Sequence, residues 1–329
     1  MREKDAALID DHAVRGHPDI HPDRLLADVG GGMQTGMVPE LPEVTALAAD
    51  LDARLRGRVI DRLSIVAFAA LKTFDPPVSE LSGSTISGVS RHGKFLDIAV
   101  DAASGEALHV TIHLARAGWI RWRDGAPPPP SGRPGHGPLA ARLVLDDGSG
   151  FDVTEAGTKK SLAISVVRDP SDVPGIARLG PEPLDPSFTL EVFEGILHDA
   201  GRAQIKGVLR SQSIIAGIGN AYSDEILHTA RMSPFKPAAM SADDAARLYE
   251  ALQSTLRAAL ARADGLAASE LKSEKKSGMQ VHGRTGQPCP VCGDTVRQVI
   301  FHDSTLQYCP TCQTGGKPLA DRVLSRLLK

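Results

Sequence analysis

Four cysteines gathered in one short stretch constrain this chain more than any other feature. Cys289-Pro-Val-Cys292 is followed by sixteen residues and then by Cys309-Pro-Thr-Cys312, and the 329 residues hold only these 4 cysteines. Two Cys-x-x-Cys knuckles at this separation bring four thiolates around a single Zn2+ ion, with β-prone runs at 296–300 and 306–308 forming a hairpin between them. A redox dithiol or four buried thiols would also satisfy the composition, but paired knuckles that bracket a hairpin have few other uses. A four-thiolate shell is closed to substrate, so the zinc is expected to be structural. Thiols confined to one cluster also point to a reducing cytoplasm rather than a disulfide-stapled secreted chain.

The rest of the chain divides by its hydrophobic period. Residues 1–36 mix Asp, His, Arg and Gly without a sustained repeat, and 1–37 read as a disordered or wrongly assigned N-terminal extension. After Pro42, the residues Val44, Leu47, Leu51 and Leu55 recur at helical spacing, and Gly57 is a natural stop. Short β-rich runs follow at 59–66, 85–89, 95–100, 108–113, 119–122, 142–145 and 162–167, separated by Gly and Pro turns. They predict a β-sandwich domain over 38–168. Prolines 170, 174, 181, 183 and 186 mark 169–187 as a linker. Helical runs at 188–200, 205–211, 223–230 and 241–263 then build a helical domain over 188–277. The last run opens on Ser241 as N-cap, with Asp244 placed to answer back. Residues 278–329 form the zinc module. The expected fold class is therefore α+β and multidomain.

The net charge of −3 hides an asymmetry. Residues 37–200 carry 16 Lys/Arg against 22 Asp/Glu, whereas 201–329 carry 17 against 11, so the C-terminal part can face a polyanion. No apolar run approaches the length of a membrane span, and the N-terminus lacks the basic start and apolar core of a secretory signal.

Three further segments carry chemistry. Gly217-Ile-Gly219-Asn220 lets the backbone approach an anion and offers an amide to a phosphate, although a plain glycine-rich helix connection looks the same. Arg91-His-Gly-Lys94-Phe95 puts a lysine at a strand entry, where a solvated edge lysine is the ordinary reading. Pro39-Glu40-Leu-Pro42-Glu43 opens the first helix, and a rigid entry with acids in the first turn accounts for Pro42 and Glu43. Pro39 is the odd member. With a free N-terminus it is a secondary-amine nucleophile; inside a chain it is a tertiary amide with no such reactivity.

These segments, with Ile112-His-Leu-Ala-Arg116-Ala-Gly118, resemble in kind and order the bacterial formamidopyrimidine-DNA glycosylase and endonuclease VIII family, over about residues 38–315. The resemblance implies a monomer acting on damaged double-stranded DNA: a glycosylase with AP lyase activity that flips an oxidised base out of the duplex. It implies Pro39 as nucleophile, Glu40 as acid/base, Glu43 as the group that fixes the amine, and Lys94 as an aid to elimination. By the same resemblance, Asn220 and Lys206 clamp the DNA backbone and Arg116 stands in the loop that fills the gap left by the base; Lys159 and Lys160, where the chain departs from the family's wedge segment, are read as phosphate contacts.

The chain also departs from the family pattern. Arg116 replaces a methionine, the segment 154–160 lacks the usual wedge, and Asp303 and Ser304 stand near the place of an arginine. With a short 265–278 stretch where the family has a base-covering loop, both oxidised purines and oxidised pyrimidines stay open as substrates. Should Pro39 stay acylated, the alternative is a non-catalytic binder of damaged DNA. A GTG start codon at Val38, read as methionine and then removed, would expose Pro39.

Overall fold

The computed structural model describes residues 38–125, 137–156, 159–301 and 304–320, which belong to one compact unit; the expectations for 1–37 and Asp303 lie outside them. Helix α1 (Leu41–Leu55) starts with Pro42 in its first turn, where the missing N–H costs nothing. Leu41, Val44, Leu47, Leu51 and Leu55 are each at most 1 % exposed, and each contributes about 1.5–3 kcal/mol by burial. Val44 to Leu55 lie in the core of the sheet domain, while Leu41 belongs to the core of the helical domain. The first turn of α1 thus spans the junction between the two cores.

The sheet domain contains β1 (Ile60–Ile65), β2 (Thr85–His92), β3 (Phe95–Asp101), β4 (Ala107–His113), β5 (Gly118–Arg123), β6 (Leu139–Leu145), β7 (Gly150–Glu155) and β8 (Ala163–Val167). They form two four-stranded antiparallel sheets, ordered β2-β3-β4-β8 and β1-β6-β7-β5. Strand β7, which the sequence pattern did not reveal, is interior to the second sheet. Asp152 breaks its apolar pattern, and that charge is matched by Arg142 Nε at 2.7 Å and Arg123 Nη2 at 2.6 Å from the flanking strands. Breaking the buried Arg142–Asp152 pair costs about 3–5 kcal/mol.

Residues 169–187 are more than a spacer. They include α2 (Pro174–Ala177), and Glu182 takes a bidentate bond from Arg91 at 2.7 and 2.9 Å. The same guanidinium donates from Nε to Thr45 Oγ1 at 2.6 Å and from Nη1 to the Gly93 carbonyl at 3.1 Å. One arginine therefore ties α1, the β2–β3 turn and the connection into the helical domain. That domain comprises α3 (Leu190–Ala200), α4 (Ile205–Arg210), α5 (Asn220–Thr229) and α6 (Ala242–Ala263). Ser241 caps α6 as expected, but Asp244 pairs with Lys236 at 2.6 Å instead of closing the box.

The stretch expected to be merely short is a helix, α7 (Leu271–Gly278). It is anchored from both domains: Trp119 Nε1 donates to the Ala268 carbonyl at 3.0 Å, Lys272 sits 4.4 Å over the Trp119 ring, and Arg262 pairs with Glu274 at 2.7 Å. The chain closes with the β9 (Arg297–Phe301) and β10 (Ser304–Tyr308) hairpin and α8 (Pro310–Thr314). Among the described residues no helix is long and apolar enough to cross a membrane.

Candidate active site

The N-terminus of α1 and the N-terminus of α5 meet at Glu40. Its carboxylate accepts from the backbone N–H of Gly219 at 2.6 Å, Ala221 at 2.9 Å and Tyr222 at 3.2 Å, which are the unpaired donors that open α5. The glycine turn read as a cradle for an external phosphate thus holds an internal carboxylate. Burial by itself would raise the Glu40 carboxyl, but the charges of Lys275 and Lys94 and the Ala221 N–H outweigh it and keep it below the ordinary carboxylate range. Near neutral pH the Glu40 carboxyl is therefore ionised.

Glu43 lies one turn along α1. Its Oε2 accepts from the Glu40 N–H at 2.8 Å and from Lys275 Nζ at 2.7 Å, while Oε1 accepts from the Tyr222 hydroxyl at 2.6 Å. Burial, with Glu43 beside it, pushes the Tyr222 phenol well above its usual value, so it is a neutral donor. Pro39 is buried directly before Glu40. Lys94 approaches from the β2–β3 turn. A Cβ on Gly219 would stand 2.6 Å from Glu40 Oε1 and 2.7 Å from Lys94 Nζ, so only glycine fits between them. Burial of its ammonium end pushes Lys94 down to about 8, against the opposing pull of Glu40. His113, whose ring lies 4.6 Å from that of Phe95, is pushed down to about 4 by burial and by Lys94, and is neutral near pH 7.

The expected clamp divides. Asn220 donates from Nδ2 to the Thr305 carbonyl of the zinc hairpin at 2.6 Å, and its Oδ1 is buried without a partner. Lys206 is buried: its Nζ bonds Asp224 at 2.6 Å, Ser223 Oγ at 2.7 Å and the Asn220 carbonyl at 3.2 Å. An ammonium so committed fixes the start of α5 and does not present itself to a phosphate, contrary to the sequence expectation. Arg116 is exposed on the β4–β5 turn, beside Ala115 in the left-handed region at φ +53, and Lys159 is exposed. Lys160 donates to the Glu155 carbonyl. These three stand on turns of the sheet domain.

The further end of α5 meets the metal site. The Sγ atoms of Cys289, Cys292, Cys309 and Cys312 all lie within 4.8 Å of one another, with 3.9 Å between Cys289 and Cys312 and 3.3 Å between Cys292 and Cys309. Four thiolates about 2.3 Å from a tetrahedral zinc are about 3.8 Å apart, so the donor set fits the ion. His228 of α5 places Nε2 at 3.3 Å from Cys289 Sγ, and Asp224 Oδ2 accepts from the Gln307 N–H at 3.2 Å and pairs with His282 Nδ1 at 2.8 Å. The hairpin is thereby fixed to the helix that holds Glu40.

Lys275 and Tyr222 escaped the reading of the sequence. For Lys275 a signal was present: it lies four residues after Leu271 and four before Met279, on the apolar side of a short amphipathic stretch.

The chain matches three family profiles in order: the formamidopyrimidine-DNA glycosylase N-terminal domain at 38–158, the H2TH domain of the same enzymes at 179–270, and the zinc finger found in FPG and IleRS at 286–315. Formamidopyrimidine-DNA glycosylase of Moorella thermoacetica is 34% identical over 275 residues, 80% of this chain and 94% of the relative. The chain belongs to the formamidopyrimidine-DNA glycosylase family. It is an enzyme of that DNA-repair family, and its four cysteines are the ligands of one structural zinc. An uncharacterised formamidopyrimidine-DNA glycosylase-like protein of Mycobacterium tuberculosis is 57% identical over 152 residues, 46% of this chain and 94% of that protein. Among solved structures, wild-type Lactococcus lactis Fpg in complex with N7-benzyl-Fapy-dG DNA has a TM-score of 0.72 at 26% identity, covering 84% of this chain and 100% of that one. The Thermus thermophilus protein has a TM-score of 0.69 at 29% identity, covering 85% and 100%.

Proposed function

We propose that the protein is a bifunctional DNA glycosylase and AP lyase for oxidised bases, in which Pro39 is the first residue of the mature chain and the nucleophile. The neutral Pro39 amine adds to C1′ of the flipped nucleotide, the glycosidic bond breaks, and the base leaves with the proton that the attacking amine gives up. Glu40 acts as the acid/base: it relays a proton from water to O4′ as the C1′–O4′ bond breaks, and the carboxylate it regenerates stabilises the resulting iminium. Lys94, with a useful neutral fraction near pH 8, removes the C2′ proton, and the 3′ phosphate departs. Glu43 and Tyr222 hold Glu40 in place. Asn220, Arg116, Lys159 and Lys160 are the candidate DNA contacts.

The observation that carries this reading is the convergence of Glu40, Glu43 and Lys94 beside Pro39, with Gly219 pressed between the carboxylate and the lysine. The N-terminal family profile begins at residue 38, in keeping with a chain that starts at Pro39. Borohydride trapping on an abasic-site duplex tests it. A chain beginning at Pro39 should be captured covalently, and the full chain with Pro39 acylated should not. Equal capture of both would overturn the assignment of Pro39, and capture of neither would leave a damaged-DNA binder.

The lesion class we infer is the formamidopyrimidine and 8-oxoguanine type. Oxidised pyrimidines are the second reading, because the short stretch where the resemblance implies a base-covering loop holds the helix α7, and the Lactococcus lactis protein has been solved with Fapy-dG DNA and with DNA containing an oxidised pyrimidine. Excision from a duplex panel of both lesion types decides between them.

A further inference from the structure

Lys275 has no task in the reaction just described, yet it is the most deeply buried cation of the site, with its side chain 2 % exposed. Its Nζ donates to Glu43 Oε2 at 2.7 Å and to the Val38 carbonyl at 2.8 Å, and lies 3.9 Å from Glu40 Oε1. The Val38 carbonyl carbon is bonded to the Pro39 nitrogen. Amide geometry separates that oxygen from that nitrogen by about 2.2 Å, which puts Lys275 Nζ within about 5 Å of the Pro39 nitrogen.

We propose that Lys275 is a positioning residue that keeps the Pro39 amine in its neutral, nucleophilic form; this rests on the reading of Pro39 as an N-terminal nucleophile. In a chain that begins at Pro39 the Val38 carbonyl is gone, and the ammonium faces the amine across the vacated space. The charged and titratable groups around that amine come from four elements. They are Glu40 and Glu43 of α1, Lys94 of the β2–β3 turn, Tyr222 of α5 and Lys275 of α7, with His282 behind Glu40 and Arg210 behind Lys94. Tyr222 is neutral, so two carboxylates stand against two lysines. A protonated Pro39 would add an unmatched cation in a desolvated pocket, and a like charge at this range disfavours it. Lys275 also occupies Glu43 Oε2, the acceptor that a prolinium would otherwise use. Without Lys275 the two carboxylates face Lys94 alone, and a protonated Pro39 becomes their natural partner. The anchoring of α7 on Trp119 and Arg262 keeps the lysine there.

The test is the pH profile of single-turnover borohydride trapping on an abasic-site duplex, for chains beginning at Pro39. Lys275→Met should move the acid limb up by about one pH unit, so that trapping falls ~10-fold more near pH 6 than near pH 9. Lys275→Arg, which retains the charge, should keep the original limb. Trapping is normalised to the folded fraction of each variant, read by circular dichroism at every pH, so a less stable variant still reports. A loss in Lys275→Met by one factor at every pH, or an unchanged profile, would overturn the proposal while leaving Pro39 as nucleophile. An unsubstituted chain that fails to trap, or traps through another residue, defeats the Pro39 reading and this proposal with it.

Discussion

Helix α5 meets a charged pocket at its N-terminus and a sulfur cluster at its C-terminus, and the two ends are built in opposite ways. At the N-terminus the free N–H groups are spent on Glu40, and two carboxylates and two lysines compete within one pocket. The result is a lysine pushed down to about 8 and a buried Asn220 oxygen with no partner. At the C-terminus His228 meets Cys289 in a four-thiolate set that closes on its metal. Polar groups held in competition can exchange protons and partners, whereas a closed shell fixes shape. One rigid helix carries both, so damage to one end should spare the other.

The sharpest way to break that contrast is Gly219→Ala. The new Cβ would meet Glu40 and Lys94 at contact distances no side chain tolerates, and trapping should fall by about 100-fold or more while bound zinc, measured by metal analysis, stays at one per chain. Activity within about threefold of the parent would mean that the close fit of Gly219 against Glu40 and Lys94 does not serve the reaction. The complementary change is His228→Ala. Loss of a group that orients a ligand typically costs 10–100-fold in metal affinity, which a chelator competition reads, and trapping by the zinc-loaded variant should persist.

A smaller effect tests the pocket end through pH. His113 titrates near 4 when folded against an ordinary value of 6.5, so between these pH values the unfolded chain binds more protons and stability rises with pH. The contribution is about 3 kcal/mol. Denaturant melts at several pH values should show this slope, and His113→Phe should flatten it without altering zinc release. The smallest effect touches neither end. Ala115 holds φ +53, a conformation that costs a non-glycine residue about 1 kcal/mol, so Ala115→Gly should stabilise the protein by about that much in the same melts.

Much of this architecture is legible in the residues, for definable reasons. The cysteine spacing dictates its own geometry, and the Val44 to Leu55 period admits one helix face. Motif order singles out Lys94, Glu40 and Glu43, which the fold brings to one pocket. What the sequence hides is pairing across distance. Asp152 masks strand β7 because its arginines sit on other strands. The turn at Gly217–Gly219 looks built for a phosphate until Glu40, 179 residues away from Gly219 in sequence, is seen to occupy it. Lys206 looks like a phosphate contact until Asp224 is seen beneath it. Lys275 has a local signal, but nothing local says that Glu43 waits at the end of its side chain.

The most direct test of the central claim is mass spectrometry of the borohydride-trapped protein, made from its own coding sequence and digested to locate the adduct. The expected result is a reduced sugar adduct on a peptide that begins at Pro39. An adduct on a lysine, or on a chain that still carries residues before Pro39, would contradict the assignment of that proline as the nucleophile.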